Sequence, residues 1–109
     1  MGITFKICKI CDTAELRIEG MQNRKMERDE CCVFSYETET QPKFWGKNTP
    51  QCLWVSLISG GRVVDSKKIM KMDETPVCLS GRGNIAIESR RKIQVGSNVL
   101  LNGDEVIVI

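Results

Sequence analysis

Apolar and polar side chains alternate with period two at the start of the chain, placing Ile3, Phe5 and Ile7 on one face and Thr4 and Lys6 on the other. This pattern predicts a half-buried β-strand. The run Ala14-Glu15-Leu16-Arg17-Ile18-Glu19 alternates again after Asp12-Thr13, which predicts a second strand, antiparallel to the first and closed by Gly20. Residues 21–30, MQNRKMERDE, carry six charges in ten positions and no apolar stripe beyond Met21 and Met26. They predict a polar loop or one short exposed helix.

Strand character returns at Cys31 to Glu39, with Cys32, Phe34 and Tyr36 on one face and Cys31, Val33 and Ser35 on the other, so both faces are expected to be partly covered. The stretch TQPKFWGKNTPQ, bracketed by Pro42 and Pro50 and containing Gly46 and Asn48, predicts a loop that nonetheless carries Phe44 and Trp45. Cys52 to Ile58 is almost continuously apolar, the signature of a central strand buried on both faces, and this makes Trp54 an expected core residue. Ser59-Gly60-Gly61 predicts a hairpin into Arg62-Val63-Val64, and residues 65–73 read as a short strand in preference to one helical turn. Val77-Cys78-Leu79 and Ile85-Ala86-Ile87 flank the turn-rich residues 80–84 and predict another hairpin. The segments 93–101 and 105–109 are joined through Asn102-Gly103, a pair that favours a type I′ hairpin turn.

These elements predict an all-β fold: a single compact antiparallel β-barrel or β-sandwich of about seven to eight short strands, with at most one short helix, filling residues 1–109 as one domain. A chain of 109 residues is long enough for one core and too short for two.

Charge narrows the function classes. Sixteen Lys and Arg against fourteen Asp and Glu leave a net charge of +2, well below the basicity of a dedicated duplex-binding protein. No apolar run is long enough to span a membrane, and Lys6 and Lys9 interrupt any signal-peptide core. Lys6 also stands where N-myristoylation needs Ser or Thr. The expectation is an intracellular protein, cytoplasmic or nuclear, with no membrane partner and with reduced cysteines.

The six cysteines and the absence of histidine limit the chemistry. Cys8 and Cys11 have the CxxC spacing, but Cys31 and Cys32 are adjacent, and strand neighbours point to opposite faces. Cys52 and Cys78 stand alone. Neither a metal nor another cofactor is expected, and the thiols read as small apolar packing residues. With no nucleophile elbow, paired-carboxylate motif or cofactor fingerprint, the chain is not expected to be an enzyme.

What remains is recognition. Lys43, Phe44, Trp45 and Lys47 form a loop of aromatics and cations suited to anchoring a protein partner, because a rigid Trp presents large area at small entropic cost. The terminal run Val106-Ile107-Val108-Ile109 either lies inside the sheet, paired on both sides, or has its open edge covered by a second copy of the chain. The sequence therefore predicts a non-catalytic protein-binding or assembly module that self-associates as a homo-oligomer. The alternative is a β-barrel that binds nucleic acid, stacking bases on the loop aromatics and neutralising phosphates with Arg62, Lys67, Lys68, Lys71, Arg90, Arg91 and Lys92.

Overall fold

Residues 2–109, described by a computed structural model, form β1 (Ile3–Cys11), α1 (Ala14–Glu19), β2 (Glu30–Thr40), β3 (Lys43–Phe44), β4 (Leu53–Ser59), β5 (Arg62–Ile69), β6 (Val77–Cys78), β7 (Gly83–Ser89), β8 (Val99–Asn102) and β9 (Glu105–Val108). Seven strands make one sheet in the order β5-β4-β7-β2-β1-β9-β8, and β3 pairs with β6 in a separate two-stranded ribbon. The large sheet curls into a half-barrel until its two edges meet at one end. There Val63 donates to Ser97, Gly96 to Val63 and Val99 to Gly61 through backbone N–H···O bonds of 3.0, 2.8 and 2.8 Å. The all-β expectation holds in this form.

Strand alternation builds a core on each face of the sheet. Phe5, Cys31, Val33, Ile58, Val63, Ile87, Ile93, Val99, Val106 and Val108 fill the inside of the curl. Cys11, Cys32, Phe34, Leu53, Val55, Leu57, Ile69 and Ala86 face outward, where Met21, Met26, Phe44 and Leu79 cover them. Met21 and Met26, the two apolar residues of the charged segment, are thus the pegs that fasten it to the sheet.

Four expectations change. The segment 14–19 is a helix rather than a strand. Ala, Glu, Leu and Arg are strong helix formers, Thr13 Oγ1 caps the N-terminus by accepting from the Leu16 N–H at 3.2 Å, and Gly20 ends the helix with φ 49°. β1 consequently pairs with β2 in parallel, because residues 12–29, including α1, supply the long crossover such a pair requires. β6 pairs with β3 and not with β7, which lies instead between β2 and β4. The last hairpin turns on Gly103-Asp104, one residue later than expected, with Asn102 facing Glu105 and a positive φ only at Gly103, the pattern of a type II′ turn.

The CxxC stretch lies in β1, where the register with β2 slips between Ile7 and Lys9. This bulge at Cys8 reverses the alternation, so Cys8 and Cys11 both reach the outer core although three residues apart on a strand. The Cys11 Sγ lies 3.6 Å from the Cys32 Sγ, and both thiols are free. The hydrogen bond it shares with Cys11, together with burial, holds the Cys32 thiol protonated far above its ordinary range. Burial likewise pushes Cys31 up to about 12. Among the described residues no group of three or more Cys, Asp or Glu side chains is arranged to hold a metal ion.

Candidate functional site

The outer core is open at one place. Between α1 and the segment 43–49 lies a cleft of about 440 Å³, bordered by Arg17, Ile18, Gly20 and Met21 on one side and by Lys43, Phe44, Trp45, Thr49 and Pro76 on the other. Phe34, Tyr36 and Glu88 rise from the sheet between them.

Each wall is fixed by local chemistry. Arg17 donates from Nη1 to the Ser35 carbonyl at 2.7 Å and lays its guanidinium 5.0 Å from the centre of the Tyr36 ring. Lys9 ties down the end of the helix by donating to Glu19 and, at 2.7 Å, to the Gly20 carbonyl. Across the cleft, the Gly46 N–H donates to the Asp73 carbonyl at 2.7 Å, and a Cβ at Gly46 would sit 1.9 Å from the Met70 carbonyl oxygen. Only glycine permits that approach, which sets where Trp45 stands. The two walls are joined at their base by the Asn23 N–H, which donates to the Asn48 carbonyl at 2.7 Å.

Phe34 and Phe44 pack edge to face with ring centres 5.1 Å apart. Trp45 stays 39% exposed, with the Lys47 ammonium 5.1 Å from the centre of its ring. The lining is thus apolar and aromatic, with a few charged groups.

Glu88 is the exception in the floor. It sits in β7 opposite Cys32 of β2 and Val55 of β4, only 4% exposed, and its Oε1 is buried without a hydrogen-bond partner. Burial raises its carboxyl to about 8, the nearby Cys11 adding to the rise and Lys9 opposing it. The group is therefore mostly protonated at neutral pH. A buried polar atom left unpaired is uncommon, and this one lies in the floor of the cleft. Burial also lifts the Tyr36 hydroxyl to about 12.

The residues expected to recognise a partner are distributed as follows. Lys43 and Trp45 border the cleft, Phe44 is its buried inner wall, and Lys47 lies behind Trp45, 3.9 Å from Glu74. All seven cations of the nucleic-acid alternative are exposed; Lys68 pairs with Trp54 across β5 and β4, Lys92 covers the same ring, and Arg62 lies at the other end of β5. Arg62 and Lys68 are separated by roughly 20 Å of β5. Lys67 turns to the Cys78 carbonyl at 2.7 Å, whereas Lys92 covers the ring of Trp54 at 5.0 Å. Lys71, Arg90 and Arg91 lie in the segments that follow β5 and β7. Trp54 itself is a half-buried residue beneath Lys92, not the core residue expected of its strand, because Leu53, Val55 and Leu57 occupy the outer core and Trp54 alternates with them. In the terminal run, Val106 and Val108 fill the inner core, Ile107 is half-buried and Ile109 exposed. β9 is paired on both sides, with β1 and β8, so the first of the two arrangements foreseen for it is the one adopted.

Sequence reasoning missed Arg17 and Glu88. The signal for Glu88 was present in IAIES: a lone acid continuing a strand too apolar to have a solvent face.

The model of the DUF192 family, whose description reads Uncharacterized ACR, matches residues 4–106. No curated protein matches the chain in sequence. Two solved structures share the fold. A protein of unknown function from Novosphingobium aromaticivorans DSM 12444 is 18% identical with a TM-score of 0.80, over 92% of this chain and 83% of its own. A protein from Sinorhizobium meliloti 1021, named for a proposed role in transcription regulation, is 18% identical with a TM-score of 0.70, over 74% of this chain and 65% of its own.

Proposed function

We propose, from the premise that this chain belongs to the DUF192 family, that it is a non-catalytic binding module whose partner places an apolar group of aromatic size in the cleft between α1 and the segment 43–49. The observation that carries the reading is the cleft itself. Its volume of about 440 Å³ lies within the range of ligand sites, four aromatic side chains border it, and the buried carboxyl of Glu88 has an unpaired oxygen. A hydrophobic body with one or two polar fixing points is the form of ligand such a lining accommodates. The loop of aromatics and cations read from the sequence supplies one wall of the cleft, which supports this reading. The nucleic-acid alternative receives less support, since none of its seven cations lines the cleft.

The test is occupancy by a neutral apolar dye, N-phenyl-1-naphthylamine. Saturable binding of one dye per chain, with quenching of Trp45 emission in a Trp54→Phe background and loss of both on blocking the rim with Ala14→Trp, supports the proposal. Binding unaffected by Ala14→Trp would overturn it.

A further inference from the structure

The charged groups around the cleft divide by position. Arg17 commits one N–H to Ser35 and rests over the Tyr36 ring, Lys43 is exposed at the rim, and neither has an ion pair among the described residues. Glu19, the other acid of the lining, is held by Lys9. The wall and rim thus present uncompensated positive charge, while the floor presents a carboxyl buried among Phe34, Cys32, Cys11 and Val55 with an oxygen lacking a partner.

We propose that the ligand class is an apolar acid: a hydrophobic body against Phe34, Phe44 and Trp45, with a carboxylate whose charge Arg17 and Lys43 compensate and whose oxygen accepts a hydrogen bond from the Glu88 carboxyl. This rests on the cleft being the binding site and names what it selects. A protonated carboxyl is a donor, and its bond to a carboxylate is charge-assisted and stronger than one between neutral groups. The same chemistry is offered by a small free acid and by the C-terminal carboxylate of a chain ending in an apolar residue.

The groups facing Glu88 fix the pH behaviour. β1 brings Lys9 and Cys11, β2 brings Cys32 and Tyr36, α1 brings Arg17 and Glu19, and β3 brings Lys43; β4 contributes the neutral Val55. With the Glu88 carboxyl at about 8, its donor is present at pH 6.5 and replaced by a negative charge at pH 9. The affinity for an acid therefore falls across that interval.

Calorimetric titration of the full chain with cyclohexylacetate, 2-cyclohexylethanol and 2-cyclohexylethylamine separates the classes. At pH 6.5 the acid should bind at least tenfold more tightly than the amine and more tightly than the alcohol. Arg17→Met should cost the acid about fivefold or more and leave the alcohol unchanged. Glu88→Gln, which keeps an N–H donor at every pH, should retain acid binding at pH 6.5 and abolish its decline by pH 9. Acetyl-Ala-Ala-Phe compared with its C-terminal amide and with cyclohexylacetate tells a chain terminus from a small acid, the tighter ligand naming the source. An amine that binds best, and loses that binding in Glu88→Gln, would overturn the acid assignment while leaving the cleft as a binding site. No binding of any of the three would overturn both.

Discussion

Replacing Glu88 by Gln removes an ionisable group from the floor of the cleft without changing its shape, and it should change how stability depends on pH. The folded carboxyl ionises at about 8 and the same group in the unfolded chain near its ordinary 4.5. Below pH 4.5 both states hold the proton and the residue is neutral in the balance. As pH rises, the unfolded chain ionises first, so unfolding is increasingly favoured until the folded carboxyl also ionises above about 8. The full loss is on the order of 4 to 5 kcal/mol, a large fraction of the roughly 5–15 kcal/mol that holds a domain of this kind together. Glu19 and Asp73, whose carboxyls are lowered by hydrogen bonds accepted from Lys9 and Thr75, act in the opposite sense at low pH but are common to both proteins. Urea unfolding of wild type and Glu88→Gln at intervals from pH 5 to 8.5 isolates the difference. The two should agree within about 1 kcal/mol at pH 5, and the variant should be more stable by several kcal/mol at pH 8.5. Curves that stay parallel over this range would refute the assignment of a buried, unpaired carboxyl.

Phe34→Ala, which empties the contact between sheet and cleft wall, should cost about 3 to 5 kcal/mol in urea unfolding, whereas Trp45→Ala should cost under about 1.5 and act mainly on ligand titrations. Gly46→Ala should displace the loop by driving a Cβ into the Met70 carbonyl, read as destabilisation of about 1 to 3 kcal/mol and faster proteolysis of the segment 43–49. Deleting residues 105–109 should unfold the chain, because β9 bridges β1 and β8; retained near-native circular dichroism would contradict that pairing.

The sequence showed its strands where alternation met turn chemistry: Gly60-Gly61 and Gly103 take the positive φ that their hairpins need. It failed where two patterns coincide. Ala14 to Glu19 alternates like a strand yet is composed of helix formers between Thr13 and Gly20, and the caps were the better guide. Pairing partners were beyond it as well. Val77-Cys78 faces Lys43-Phe44 across a distance no local signal spans, and one extra residue at Cys8 redirects two thiols. Trp45 was legible as an exposed aromatic in a Pro-bracketed loop. The cleft was not, because it depends on α1, which the alternation concealed, and on a charge in β7 whose meaning comes from Cys32 and Val55 beside it.

The position of β9 sets the order in which this domain can be completed. Within this domain β1 precedes every other strand, yet one of its two neighbours in the sheet is the domain's last strand, with Ile3 opposite Val108. A ribosome must therefore release nearly the whole domain before β1 can be paired on both sides, and the closing contact joins residues about as distant in sequence as the chain allows. Such non-local closure makes folding slow relative to a helical protein of equal length. Until residue 108 emerges, the β1 edge and its row of Ile3, Phe5 and Ile7 remain uncovered, so the nascent domain is the form of this protein most exposed to aggregation and to chaperones.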